Sequence, residues 1–313
     1  MADRLAVLPQ YLLPKRALTV LAGRFAASRN RWWTGWVIPW FIASYGVNMA
    51  EAANPYPAGY AGFNDFFTRA LRPDARPLAQ ADCVSPVDGT VIQCGPIEGD
   101  QILQAKGHRY STRALVGGDA TLAALFHSGQ AVTLYLSPRD YHRIHMPCAG
   151  RLLRMIHIPG DLFSVNPATV RGVPGLFARN ERVVCVFESA RGPFVLTLVG
   201  ATIVGSIATV WHGVVSPLRR AWCASGATTI RPSYWARATK SAASCWARRW
   251  SCCSQQTPFG SRPTGCQVVA CAWARPWPVG RRIARRNEAR RACGERQGKH
   301  GHAPSGRALP QVL

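Results

Sequence analysis

Acidic residues are scarce in this sequence. Fifteen Asp and Glu stand against 38 Lys and Arg, a formal net charge of +23 over 313 residues. Such an excess normally marks a partner that carries phosphates, whether nucleic acid or an anionic membrane. Its distribution weakens that reading for most of the chain, because residues 219–313 hold 18 of the basic residues and only 2 of the acidic ones. A secretory leader is also missing: MADRLAVLPQYLLPKR lacks the charged-then-apolar plan of a signal peptide. The eleven cysteines are therefore expected in a reducing cytoplasm and not in a disulfide scaffold. No CxxC pair occurs. Cys245, Cys252, Cys253, Cys266 and Cys271 lie at irregular intervals, and His300 and His302 are too close together for HxxxH, so no metal site is expected. There is no internal repeat. There is also no clean membrane span. WWTGWVIPWFIASYGVNMA (32–50) is uncharged and approaches the ~20 apolar residues a span requires, but Gly35, Pro39, Gly46 and Asn48 interrupt it.

What is present divides into three textures. Residues 5–31 mix apolar and basic side chains, with Leu18, Leu21 and Phe25 at helical spacing among Lys15, Arg16, Arg24, Arg29 and Arg31. Tryptophan prefers the headgroup level and basic residues attract anionic lipid, so residues 1–50 read as helices lying in a membrane interface. A helical hairpin docked on its own core is the plainer alternative. From about residue 80, DGTVIQCG, AVTLYLS, ERVVCVFE and PFVLTLVGATIVGSI are short β-branched or aromatic runs separated by turn residues, the pattern of antiparallel strands. After Pro217 neither a 3.6-residue nor a 2-residue period is sustained, and the end is basic and of low complexity.

Four stretches carry chemistry. SPVDGTV (85–91) places Asp88 before a glycine, a common turn dipeptide that becomes interesting only beside a base. YLSPRDYHRIHMPCAG (135–150) supplies that base twice, at His142 and His145. On a strand the two rings would face opposite sides, whereas in a turn they converge and suit acid–base work. HIPGDLFSVNP (157–167) and LFARNERV (176–183) put polar residues at turns beside apolar anchors and, by chemistry alone, pass as loops.

Together with LQAKGHRYS (103–111), VGATIVGSIATVWHG, QYLLPKRALTVLAG and FNDFFTRALRPDARP, these stretches resemble phosphatidylserine decarboxylase of the bacterial proenzyme type, from about residue 10 to residue 217. The resemblance implies a chain that cuts itself. A serine in an LGST motif attacks the preceding glycine carbonyl, the ester eliminates, and a pyruvoyl group remains as the electron sink when CO₂ leaves. Matched motif by motif, Asp88 and His145 are the charge-relay pair that supports the serine, and His142 is the candidate proton donor. The implied product is phosphatidylethanolamine. The implied partner is membrane phospholipid, met peripherally through residues 1–50 on the cytoplasmic face of a bacterial cell membrane. No nucleic acid is expected, and a homo-oligomer is compatible with the sequence.

No LGST occurs in this chain. Gly205-Ser206 lies upstream of where the family cuts, and Gly260-Ser261 lies in a tail without family likeness. SCWARRWSCCS (244–254) suggests why. Cysteine and tryptophan codons both begin TG. Read one base earlier, Cys245-Trp246-Ala247 forces Leu-Gly, and residues 238–254 admit GDEIGRFLLGSTVVLLF, a close likeness of the family's cleavage region. The sequence therefore reads as frameshifted between about Ser216 and Trp222, which also accounts for the Cys, Trp and Arg excess beyond it. The expected fold is α+β: a helical membrane-associating segment (1–75), an incomplete, mainly antiparallel β catalytic domain (76–217), and a tail (218–313) out of frame and without the family fold. On this reading the chain as it stands forms no pyruvoyl group. The competing reading is a non-enzymatic binder of anionic lipid or nucleic acid that uses the basic tail.

Overall fold

Helices come first and strands after, as the change of texture implies. The computed structural model describes residues 2–77, 81–216, 234–235 and 267–273. Three helices open the chain: α1 (Ala2–Leu12), α2 (Lys15–Ala26) and α3 (Arg31–Tyr45). Asn30 starts α3 by accepting from the amides of Trp32 and Trp33 at 3.0 and 3.4 Å, the usual task of an N-cap asparagine. Gly46 ends it at φ 64°, in the left-handed conformation that glycine adopts without penalty. Thr34, Val37, Ile38 and Phe41 form the buried face of α3. Val37, Ile38 and Phe41 pack with Val47 and with Phe66 of α4 (Phe63–Phe67).

The remaining elements are β1 (Thr90–Pro96), β2 (Gln101–Leu103), β3 (Arg109–Ser111), α5 (Thr112–Leu115), α6 (Ala120–Ala124), β4 (Gln130–Leu136), β5 (Gly150–Ile158), α7 (Pro167–Gly172), α8 (Leu176–Arg179), β6 (Arg182–Ser189), β7 (Gly192–Val199), β8 (Ile207–Thr209), β9 (Gly213–Ser216), β10 (Tyr234–Trp235) and β11 (Gln267–Trp273). Seven strands make one antiparallel sheet in the order β1-β4-β11-β7-β6-β5-β10. β2–β3 and β8–β9 are separate two-stranded ribbons. Both faces of the main sheet are covered. Val184, Val186, Val195 and Val199 join Phe126, Phe163, Val173 and Phe177 in the principal core. On the other face Phe187 stacks on Phe194 at 5.0 Å and meets Trp211 edge-on, while the Trp211 Nε1–H donates to Met155 Sδ at 3.3 Å. That is why β6 reads as an unbroken apolar run, since neither side of it reaches water.

The N-terminal helices are docked on the β-rich part of the chain. Val7 of α1 is in the principal core. Gln10 donates to Thr169 Oγ1 at 2.8 Å and accepts from the Ser164 amide at 3.0 Å. Thr19 Oγ1 of α2 accepts from the Ile203 amide at 3.1 Å. The outer surface stays apolar, with Leu12, Leu21, Phe25, Trp32, Trp36 and Trp40 all exposed. Among the described residues no helix is long and apolar enough to cross a membrane.

Two findings differ from the sequence expectation. The run PFVLTLVGATIVGSI is not one strand: β7 stops at Val199, residues 200–206 form a loop, and β8 starts at Ile207. Inside that loop Ile203 takes φ 72°, which is costly for a β-branched residue. The second concerns the tail, where no strand was expected. β11 pairs with β4 from Gln267↔Leu136 to Trp273↔Gln130 and with β7 from Val268↔Val199 to Trp273↔Phe194. β4 and β7 are buried along most of their length, so their backbone N–H and C=O groups require partners. QVVACAW is the β-branched apolar run that supplies them. The LGST-bearing reading frame and the other tail cysteines fall on residues outside those described.

Candidate active site

One end of the main sheet gathers the residues singled out from sequence. Thr90 at the start of β1 pairs with Tyr135 near the end of β4, so Asp88 and the loop 137–149 emerge side by side. Gly89 makes the approach possible. A Cβ there would stand 2.6 Å from the Tyr135 carbonyl oxygen, closer than van der Waals contact allows. The Asp-Gly pair is thus more than a turn former. Two backbone bonds tie the segments together, Val84 N–H to the Pro147 carbonyl at 2.9 Å and His145 N–H to the Pro86 carbonyl at 2.8 Å.

The loop after β4 is a turn, and this brings both histidines to the same region. Its first residues are locked by Asp140, which accepts from the Ser137 amide at 2.7 Å while the Asp140 amide donates to the Ser137 carbonyl at 2.9 Å. Burial raises the Asp140 pKa. His142 follows, its Nδ1 2.8 Å from the Asp140 carbonyl. A carbonyl only accepts, so Nδ1 carries the proton and the neutral ring leaves a lone pair on Nε2. That Nε2 is buried without a hydrogen-bond partner among the described residues. The ring lies against Phe67 of α4, with centroids 4.0 Å apart and planes inclined by 34°. His145 lies parallel to Tyr141, and its Nε2 is 3.2 Å from the Tyr141 hydroxyl. Burial pushes both histidines down to about 4, assisted by the charge of Arg69 at His142 and of Arg143 at His145. At neutral pH both are uncharged bases held out of water.

Asp88 is held at this end of the sheet by an arginine. Its Oδ2 accepts from Arg76 Nε at 2.6 Å, and Arg76 also bonds Glu51. The structure therefore sets the Asp88 and His145 segments side by side, with the carboxylate turned to Arg76 and the imidazole to Tyr141. Arg76 and Arg69 also reach this end of the sheet, and the sequence did not disclose them. Both sit in FNDFFTRALRPDARP, where arginines near proline read as ordinary surface charge. Only the fold shows the Arg69 side chain buried and the Arg76 side chain only 9% exposed.

The other two polar stretches are structural. Asn180, fully buried, accepts from the Phe163 amide and donates to the Phe163 and Gly200 carbonyls at 2.8–3.0 Å, clipping LFARNERV to PGDLF. His157 bonds Glu181 at 3.0 Å across the same junction. Gly205, beside Ser206, packs against Thr19 of α2 and Leu162. Among the described residues no group of three His, Cys, Asp or Glu side chains is placed to hold a metal.

Helices backed on an antiparallel sheet, with two buried neutral histidines and carboxylates at one sheet end, define a protein of the α+β class with side chains suited to acid–base chemistry. Comparison with known sequences makes the class specific. The family model described as phosphatidylserine decarboxylase matches residues 63–241, and a second, described as PSD, matches residues 5–46. The chain belongs to the phosphatidylserine decarboxylase family. It is 72% identical over 219 residues to the phosphatidylserine decarboxylase proenzyme of Albidiferax ferrireducens, covering 70% of this chain and 77% of that one. Against the proenzymes of Azoarcus sp. and Polaromonas naphthalenivorans it is 71% and 73% identical over 219 and 220 residues, covering 70% of this chain and 76% of each relative.

Proposed function

We propose that this chain is built to decarboxylate phosphatidylserine to phosphatidylethanolamine and CO₂, and that in its 313-residue form it is an unprocessed, inactive proenzyme. The observation that carries the first part is the site end of the sheet. Two buried, uncharged imidazoles lie on a loop whose backbone is bonded to the segment that carries Asp88, in a chain about 70% identical to proenzymes of that name. The second part rests on the missing LGST.

When present, a pyruvoyl group supplies a carbonyl that takes up the electrons left by departing CO₂. The residues fit such a group in one respect. His142 Nε2 is a buried lone pair that can accept a proton and return it. It therefore starts as an acceptor, and the proton it donates must first be taken up. They fail to fit in another respect, because the sequence holds no serine in the cleavage motif, and no step through the group is derived for this chain. His145 is a neutral base whose hydroxyl neighbour, Tyr141, holds the ring plane. Asp88, fixed by Arg76, keeps a carboxylate at the same end of the sheet.

Membrane contact belongs to the same proposal. The exposed tryptophans of α3 and the apolar outer residues of α1 and α2, interspersed with Arg24, Arg29 and Arg31, suit peripheral attachment to anionic lipid.

Mass spectrometry of the purified chain tests the assignment. An intact single polypeptide is expected. A fragment blocked by a pyruvoyl group would show that a serine of the present sequence serves after all. Restoring the alternative frame near residue 218 is expected to switch on cleavage and decarboxylation together, and Asp88→Asn or His145→Ala in that background to block cleavage.

A further inference from the structure

The segments that carry Asp88 and His145 run antiparallel to each other. Two backbone bonds fix their register: Val84 N–H donates to the Pro147 carbonyl, and His145 N–H to the Pro86 carbonyl. Val84 therefore stands opposite Pro147, and Pro86 opposite His145. Each of these rungs has one bond only, because Pro86 and Pro147 carry no N–H to return a second. Bonded and non-bonded rungs alternate along an antiparallel pair, so the rungs on either side of Val84 and Pro147 are of the non-bonded kind. One is Ser85 opposite Met146. The other is Cys83 opposite Cys148.

A non-bonded rung holds its Cα atoms about 4.5 Å apart with both side chains on one face. That lies within the roughly 4.4–6.8 Å that a disulfide spans. Cys83 and Cys148 are both thiols, 8% and 7% exposed, and both segments bend where this last rung closes the pair. Their cover is thin, since the neighbouring Asp82 and Ala149 are exposed. The Asp82 carboxylate pairs with Arg191 at the turn between β6 and β7, which holds the chain in place just before Cys83. Other cysteines are set differently. Cys94 stands opposite Val132 on β4, and Cys185 lies mid-sheet between Met155 and Leu196, fully buried.

We propose that Cys83 and Cys148 are a reversible disulfide site that staples the Asp88 segment to the His145 segment. The oxidant is a low-molecular-weight disulfide. The thiolate of one cysteine attacks a sulfur of that disulfide, which expels one small thiolate and leaves a mixed disulfide on the protein. The thiolate of the second cysteine then attacks the protein sulfur of the mixed disulfide and expels the other half. The two protein thiols give up two protons and two electrons, and the oxidant becomes two small thiols. A reducing thiol reverses both steps. The bond adds a covalent tie to a pair whose prolines leave it half the hydrogen bonds of a regular ladder.

The test reads a covalent bond and needs no catalysis, so its failure leaves the family function untouched. The full chain, purified under reductant, is incubated with glutathione disulfide, quenched in acid, denatured, alkylated and digested with trypsin. Peptide 144–151, whose one cysteine is Cys148, is expected joined through Cys83 to peptide 70–106, with Cys94 of that peptide outside the bond. The same treatment in urea is expected to scatter Cys148 among many partners. In Cys83→Ser, Cys148 is expected to keep a glutathione that nothing displaces. The thermal midpoint of the oxidised parent is expected at least about 5 °C above that of the reduced parent, a rise absent from Cys83→Ser. Recovery of Cys83 and Cys148 as alkylated thiols after oxidation overturns the proposal. So does a lasting glutathione on Cys148 in the parent, or pairing that is no more selective in the folded chain than in urea. A bond that forms without raising the midpoint refutes the staple. If Cys83→Ser does not fold, the peptide map of the parent decides.

Discussion

His142 and His145 are three residues apart and buried for the same reason: the loop that carries them is pressed between the Pro86 segment and the segment of Phe67 and Thr68. Burial has a thermodynamic consequence. In the unfolded chain each ring titrates near 6.5, and in the folded chain near 4. Between those values the unfolded state binds more protons, so stability rises with pH across the window. The contribution is complete above about pH 6.5 and is lost as pH falls towards 4. It amounts to about 3 kcal/mol for each ring. Urea unfolding at a series of pH values is expected to show the midpoint falling from pH 6.5 to 4.5. Replacing either histidine with glutamine should flatten that slope. A midpoint that stays level over the window would show the rings to be solvated. At this scale the sequence was informative where residue type implies chemistry, at Asp88, His142 and His145. It was silent where burial confers the role, because Arg69 and Arg76 differ from surface arginines only through what folds over them.

Among elements, α3 carries two faces that its sequence only half reveals. Thr34, Val37, Ile38 and Phe41 recur at helical spacing and are buried. Trp32, Trp36 and Trp40 recur every four residues and stay out, 82%, 58% and 49% exposed, the last two rings stacked at 6.2 Å. With 15 residues, α3 is about 22 Å long, short of the ~30 Å hydrocarbon layer, so an orientation along the interface suits it better than a crossing. Changing Trp36 and Trp40 together to serine removes apolar surface from the outer face and leaves the Phe41–Phe66 contact alone. Partitioning onto phosphatidylglycerol-containing vesicles is expected to weaken about tenfold, with the thermal transition unchanged. Equal sedimentation of variant and parent would remove α3 from the membrane contact. Strands β1, β4, β6 and β7 were legible as β-branched runs. β5 was not: RLLRMIHI sets arginines and a histidine among its apolar residues and fits a helix as readily as a strand. The break after Val199 was hidden too, since ATIVGSI has every local mark of a strand and is bent by its bond to Thr19.

For the whole molecule, β11 decides how the sheet holds together. Without it, β4 and β7 would each present a long, buried-type edge of unpaired backbone groups, a template for association with other chains. A chain ending at residue 276 is expected to remain monodisperse on size-exclusion chromatography, and one ending at residue 216 to aggregate. Comparable behaviour of the two would mean that the two halves of the sheet do not need that strand. Nothing in the sequence announced it, because seven ordinary residues inside a Cys-, Trp- and Arg-rich tail carry a weaker signal than the sheet's demand for a partner.

The place of β11 also fixes an order of events during synthesis. β1 with β4, and β5 with β6 and β7, are antiparallel neighbours that have all left the ribosome, and can pair, before β11 is made. The strand that joins the two sets emerges about 68 residues after the end of β7, roughly 3 to 14 seconds later at usual elongation rates. For that interval the sheet exists as two half-sheets with facing open edges. Among the described residues the last strand made is an interior one, third of the seven, and the chain's most vulnerable moment comes late in its translation.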